Sequence, residues 1–195
     1  MALHRIRIGL ADPSEEHRTA VLGIRLGILQ GEMGQVAEGV ESLVAARHLW
    51  RRPAAADPEE YGPGHARSRL RLGQLLVEAG RTEEAVEATG EAVVRWHTLR
   101  RERPGAHGPE LAAVLTVHAS LRWPAGDLGG ALEATGEAVE IYRGLTGVLP
   151  DVVDRLHPVL ELQARVLLHR AGTGRRRRWR AGWGRIPPGV GGGAF

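Results

Sequence analysis

EAGRTEEAVEATGEAVVRW at residues 78–96 and PAGDLGGALEATGEAVEIY at residues 124–142 contain the same hexapeptide, ATGEAV, at an offset of 46. Sliding the whole sequence by that offset extends the match well beyond six letters. Glycine falls at Gly34, Gly80, Gly126 and Gly172, and leucine falls five residues earlier at Leu29, Leu75, Leu121 and Leu167. Small residues coincide at Gly27, Gly73 and Ala119 and again at Ala46, Ala92 and Ala138; glutamates coincide at Glu41, Glu87 and Glu133. A large aromatic closes each segment, at Trp50, Trp96 and Tyr142. A fixed period over such different chemistries marks a repeated structural unit.

Each unit reads as two helices joined at the glycine. Ala85, Ala88, Thr89, Ala92, Trp96 and Leu99 recur at steps of three and four, which places them on one helical stripe. Glu83, Glu84, Glu87 and Glu91 precede Arg95, Arg100, Arg101 and Arg103, an order that suits the helix dipole. The glycine is the residue that can end the first helix in a left-handed conformation, where a β-carbon would be penalised. Asp12-Pro13-Ser14-Glu15 and Asp57-Pro58-Glu59-Glu60 each offer a capping aspartate, a proline for the first helical position and a glutamate in the first turn. No sustained alternation of apolar and polar residues argues for a strand.

One helical hairpin of this size cannot bury its apolar stripe alone, so neighbouring units must stack. The expected fold is all-α: an α-solenoid of antiparallel helix pairs, about three and a half units long. The units are read as residues 20–65, 66–111 and 112–157, with a partial unit at 158–172. Stepping back one period from Leu49 and Trp50 lands on Leu3 and His4, so residues 1–19 read as the end of a preceding second helix plus a linker.

Composition excludes several classes of function. The 195 residues include no cysteine, no lysine and no asparagine, and all 26 basic residues are arginine, the signature of GC-rich coding. Disulfides, thiolate nucleophiles, lysine Schiff bases and the phosphate-loop lysine are therefore out of reach. Neither a signal-peptide apolar core nor a run of about 20 apolar residues is present, which leads to the expectation of a cytoplasmic protein without a membrane span. Six arginines and no acidic residue follow Gly174; the remainder carries 20 arginines against 23 acidic residues, a net charge of −3. Attraction to nucleic acid would thus reside in the tail.

The helix-pair pattern resembles the tetratricopeptide repeat. That family carries a large residue followed by a small one midway in its first helix, as at Leu26-Gly27 and Leu72-Gly73 and in part at His118-Ala119. Its second helix packs small residues seven apart, as at Gly39 and Ala46, Ala85 and Ala92, and Ala131 and Ala138. The unit of 46 exceeds the family's usual length of about 34, the surplus lying late in the second helix and in the following loop, as in RRERPGAHGPE at 100–110. Long-unit members such as those of kinesin light chain, and long arrays in actinobacterial regulatory proteins, are similar in this respect. The resemblance implies binding of a peptide or protein surface along a groove formed by the first helices. Carried onto matching positions, that groove comprises Arg25, Ile28, Arg71, Gln74, Glu78, Thr116, Ser120, Trp123 and Gln163. Trp123, next to Pro124, reads either as an anchor for a partner or as core.

No catalytic, metal or cofactor site is expected. The nine histidines form no H-E-x-x-H and no pair at i, i+4. His65 and His107 fall in expected loops, and His118 occupies a first-helix position ordinarily apolar; satisfied or exposed histidines are expected in place of ligands. The Glu59-Glu60 and Glu83-Glu84 pairs are accounted for at helix amino ends. Ser14, Ser42, Ser68 and Ser120 lack a nucleophile-elbow context, and GVGGGAF lacks the strand and helix that flank a phosphate loop.

Residues 173–195 depart from the repeat: TGRRRRWRAGWGRIPPGVGGGAF stands where a second helix is due. The segment reads as a nucleic-acid arm, with Arg on phosphate and Trp179 and Trp183 stacking on bases, or as a disordered end. A third reading is a frameshift. If Arg176, Arg177 and Arg178 are AGG, AGG and CGG and Trp179 is TGG, the frame one base earlier reads Glu-Glu-Ala-Val, as at Glu83-Glu84-Ala85-Val86. The expected protein is a non-enzymatic interaction scaffold, a fragment of a larger regulatory protein in this reading, with self-association through its open repeat ends; the alternative is nucleic-acid binding through the tail.

Overall fold

The computed structural model describes residues 13–183 apart from Pro104 and Pro150, with side chains from Ser14 to Gly172. Among the described residues there are eight helices and no strand: α1 (Pro13–Glu32), α2 (Val36–Leu49), α3 (Arg51–Ala56), α4 (Pro58–Glu78), α5 (Thr82–Glu102), α6 (Gly108–Arg122), α7 (Leu128–Leu145) and α8 (Val152–Trp183). Three antiparallel pairs, α1/α2, α4/α5 and α6/α7, stack in chain order, and each second helix also packs on the next first helix: α2 on α4, α5 on α6, α7 on α8. The chain is an all-α helical-repeat solenoid.

The turn glycines act as their spacing implies. Gly34, Gly80 and Gly126 have φ of +79°, +72° and +86°. At each, two backbone bonds close the helix in the same way: Gly80 N–H donates to Val77 O at 2.9 Å and Arg81 N–H to Leu76 O at 2.8 Å, with the equivalent pairs at Gly34/Gln35 and Gly126/Asp127. This is the two-bond closure that a left-handed residue after the last helical turn permits. Asp57 caps α4 by accepting from Glu59 N–H at 3.1 Å and Glu60 N–H at 3.0 Å. Asp12 lies outside the described residues.

Within a pair, the helices approach where a side chain is missing. A β-carbon on Gly27 would lie 2.8 Å from the Gly39 carbonyl oxygen, and one on Gly73 would lie 2.5 Å from Thr89 Cγ2 and 3.2 Å from the Ala85 carbonyl oxygen. Ala119 fills the third such position and is fully buried. The closing aromatics Trp50, Trp96 and Tyr142 are 1%, 1% and 2% exposed. They anchor the far end of each second helix in the apolar interior, where each large ring removes apolar surface from water.

Three features differ from the sequence reading. First, α1, α4 and α6 begin at Pro13, Pro58 and Gly108, upstream of the unit starts drawn at 20, 66 and 112. α4 starts at the capping signal Asp57-Pro58, and the surplus length appears as α3 after α2 and as the extension of α5 to Glu102. Second, His65 is not in a loop: it lies inside α4 and is 2% exposed. Third, α8 is out of step with the 46-residue period. Val114 and Leu121 of α6 are buried, but Leu160 and Leu167 at that offset are 37% and 50% exposed. Val159 and Val166, offset by 45, are buried instead, together with Val152. Gly172 sits inside the helix and has no positive φ. Three valines at heptad spacing form the stripe that fits α7, and burying them outweighs the helix-ending preference of one glycine.

Two histidines, His118 and His65, are buried among the helices. The Thr89 hydroxyl lies 2.8 Å from Ala85 O, to which it donates, and 2.9 Å from His118 Nδ1. Burial, followed by the charge of Arg122, lowers the His118 pKa, with Asp127 opposing. His65 is held down to about 4, by burial first and then by Arg69, Arg95, Arg47 and Arg51.

These assignments have two measurable consequences. Gly80→Ala should destabilise the fold by about 1 kcal/mol in urea unfolding, because its left-handed turn penalises a β-carbon. Gly172→Ala should instead be neutral or stabilising by about 0.5 kcal/mol, as expected inside a helix; equal destabilisation by both would restore Gly172 as a helix end. As for pH, unfolded His65 takes up a proton near pH 6.5 and the folded form only near 4. Stability is therefore complete above about 6.5 and declines as pH falls through that window. His65→Leu should flatten the fall in melting temperature between about pH 7 and 5; an unchanged slope would remove His65 as its source.

Candidate functional site

α1 and α4 pack against each other, and a concavity lies between them. This cleft of about 190 Å³ is lined by Ile28, Gly31 and Glu32 of α1, Leu43 of α2, and Arg71, Gln74, Leu75 and Glu78 of α4. Four of the nine sequence-derived groove residues, Ile28, Arg71, Gln74 and Glu78, therefore share one site.

The repeat generates this arrangement. Arg25, Ile28 and Glu32 on α1 are one period from Arg71, Gln74 and Glu78 on α4, and each trio steps by three and four residues along one helical face. Glu32 is absent from the sequence-derived set, yet the period that links it to Glu78 would have found it. Leu43 and Leu75 form the apolar floor and are 1% and 7% exposed. A β-carbon on Gly31 would lie 2.6 Å from Leu75 Cδ1, so this glycine lets α1 close on α4 at the cleft. Arg71 Nη1 donates to Gln74 Oε1 at 3.0 Å, which orients the amide. Glu32 and Glu78 stand at the carboxyl ends of α1 and α4, where the helix dipoles are also negative. The cleft thus runs from a basic end at Arg71 to an acidic end at Glu32 and Glu78.

The other five residues are placed elsewhere. Arg25 is exposed on α1 and does not line the cleft. The hydroxyls of Thr116 and Ser120 donate to Ala112 O at 2.8 Å and Val117 O at 2.7 Å, within their own helix. Trp123 is half-buried at the end of α6, its Nε1 donating to His169 Nδ1 at 3.5 Å with the rings edge-on at 6.3 Å. It bridges α6 to α8. Gln163 faces α7: its Nε2 lies 3.8 Å from the place of a Gly136 β-carbon, much as His118 Cε1 lies 3.4 Å from that of Gly90. The one-residue slip of α8 puts Gln163 in the position that His118 holds one unit earlier.

Among the described residues, no group of three or more His, Asp or Glu side chains is placed to hold a metal ion, and no helix is long and apolar enough to cross a membrane. Two further concavities lie at the loop edge, one lined by Pro58, Glu59, Leu99, Glu102, Arg103 and His107. The other includes Pro109, Glu110, Leu149 and Arg155. The backbone of α8 extends to Trp183, whereas the side chains of the tail arginines and of Trp179 and Trp183, like the whole of residues 1–12, lie outside the described residues.

No protein-family model matches the chain, and no curated protein matches it in sequence. Solved structures do. BtubC (BKLC) from P. vanneervenii is 19% identical, with an alignment that covers 98% of this chain and 73% of that one at a TM-score of 0.58. A putative kinesin light chain from Podosopora anserina, described as having nearly identical TPR-like repeats, is 21% identical over 84% of this chain and 79% of that one, at a TM-score of 0.47. The de novo designed helical repeat protein DHR64 is 18% identical over 82% of this chain and 84% of its own, at a TM-score of 0.40. The first likeness and the helix-pair geometry together give the conclusion: this chain has a tetratricopeptide-like helical-repeat fold.

Proposed function

We propose that the protein is a non-enzymatic interaction scaffold that holds an extended peptide, or a projecting segment of a protein, in the cleft between α1 and α4. The observation that carries this reading is the convergence of Ile28, Arg71, Gln74 and Glu78 over a floor of Leu43 and Leu75. Solenoids of helix pairs present extended concave surfaces of this kind. The chemistry specifies the ligand further. An aliphatic side chain fits against Ile28 and the two leucines, Gln74 pairs with the peptide backbone, and a cationic side chain meets Glu32 and Glu78. The preferred sequence is an aliphatic residue close to a basic one.

A second surface supports self-association. Leu22, Leu26, Leu29 and Met33 form one stripe on α1 and are 63%, 52%, 55% and 72% exposed. The counterparts of the three leucines one period on, Ser68, Leu72 and Leu75, are buried by the preceding pair. The stripe that is buried on α4 is exposed on α1, an apolar surface of the kind that associates with another.

Peptide display on the full chain should enrich the aliphatic-basic pattern, and Glu78→Arg should weaken the selected peptides about tenfold, or about 1.4 kcal/mol. Selected peptides indifferent to Glu78→Arg and Gln74→Ala would move the site away from this cleft. In sedimentation at tens of micromolar, the chain should associate and Leu26→Glu should shift it toward monomer; a monodisperse wild-type monomer would remove the self-association reading.

A further inference from the structure

A second cluster lies away from the cleft, where α2, α3, α4 and α5 meet. Three pairs at i, i+4 spacing converge there. Arg47 stands on α2 and Arg51, exposed to solvent, on α3; the two helices run through Trp50 without leaving helical geometry, and the charge of Arg51 reaches His65 and Arg69 without a direct contact. His65 and Arg69 come from α4, and Glu91 and Arg95 from α5. Arg69 Nε donates to His65 Nε2 at 3.2 Å, and Arg95 Nη2 lies 3.4 Å from His65 Nδ1. Arg69 pairs with Glu91, and Arg47 Nη1 reaches the same carboxylate at 3.6 Å.

The charges do not balance. Among the described residues, Glu91 is the sole carboxylate that pairs with any of the four guanidiniums. Four positive charges therefore stand against one negative charge, around a histidine that is neutral at pH 7. Like charges at such range repel, more so where part of the water is excluded. Arg69, whose side chain is 17% exposed, cannot relieve this by turning fully into solvent.

The repeat supplies an internal control. One period on, at the junction of α5, α6 and α7, the equivalents of His65, Arg69 and Arg95 are Leu111, Leu115 and Ile141, all buried. Glu91 corresponds to Glu137 and Arg51 to His97, which pair at 3.4 Å. The same junction is thus built with an apolar filling, so stacking does not require the arginines. Their presence at the first junction needs another reason.

We propose that this junction binds a phosphate-sized oxyanion, either free phosphate or the phosphate of a modified side chain, held by Arg47, Arg51, Arg69 and Arg95 above His65. Guanidinium forks match the oxygens of phosphate and make charge-assisted hydrogen bonds to them. A dianion would bring the cluster close to neutrality.

The test is thermal unfolding of the full chain at constant ionic strength, with inorganic phosphate and O-phosphoserine titrated separately. A saturable rise in melting temperature of about 5 °C is expected at high occupancy. Arg95→Gln should abolish most of that rise, while its own melting temperature without phosphate should be no lower than wild type, because a repulsion has been removed. The triple substitution His65→Leu, Arg69→Leu, Arg95→Ile, which copies the second junction, should behave likewise. A response at lower concentration of O-phosphoserine would assign the site to a phosphorylated side chain, and the reverse to free phosphate. No rise with either compound, or a non-saturating rise of equal size in wild type and Arg95→Gln, would overturn the proposal, since phosphate stabilises folded proteins in general by exclusion from their surface.

Discussion

The fold depends on one constraint: within each pair the two helices touch at a position where the side chain is absent, as in α1/α2 and α4/α5, or is only the methyl of Ala119, as in α6/α7. At Gly27 and Gly39 the contact is backbone against backbone, and at Gly73 it is backbone against Thr89 and the Ala85 carbonyl. A β-carbon at these points would push the helices apart and break the packing on both sides. Seven residues after each crossing point stands the turn glycine: Gly34 after Gly27, Gly80 after Gly73 and Gly126 after Ala119. Crossing and reversal are thus separated by two helical turns in every pair, which keeps the pairs alike enough to stack. The buried aromatic at the end of each second helix then fixes the far side of the unit.

Stacking turns this local constraint into a surface. Because α1 and α4 are equivalent one period apart, residues three and four apart on each helix recur across the cleft, and a polar pattern written once in the unit becomes a two-sided lining. That is why Arg71, Gln74 and Glu78 face a cleft whose other wall holds Ile28 and Glu32. The same logic exposes departures. At the first junction arginine and histidine stand where the second has leucine and isoleucine, and at α8 the buried stripe moves by one residue.

Much of the architecture was legible because its signals are local. A glycine at fixed spacing, an aspartate-proline start and an aromatic every 46 residues each specify a backbone event within a few residues of themselves. The missing parts depend on tertiary competition. Gly172 repeats the turn signal, yet Val152, Val159 and Val166 decide which face of α8 is buried. Arg95 and Glu91 read as charges arranged along a helix dipole, whereas both turn toward His65 and Arg69 on another helix. His65 follows Gly62, Pro63 and Gly64, a run with the composition of a loop, but those residues lie inside α4. There Gly64 clears space for Trp50, whose ring would lie 2.4 Å from a β-carbon at that position. Ile28, Arg71, Gln74 and Glu78 were readable from the period and line one cleft, whereas Arg25 does not line it and Gln163 faces α7.

The molecule is a stack of like pairs in which the last first-helix is displaced by one residue. Nuclear Overhauser contacts to the α-protons of Gly90 and Gly136 test this most directly. His118 ring protons should contact Gly90, and the Gln163 side-chain amide should contact Gly136. Contact of Gly136 with the Ala164 methyl in place of Gln163 would put α8 back on the 46-residue period and contradict the displacement.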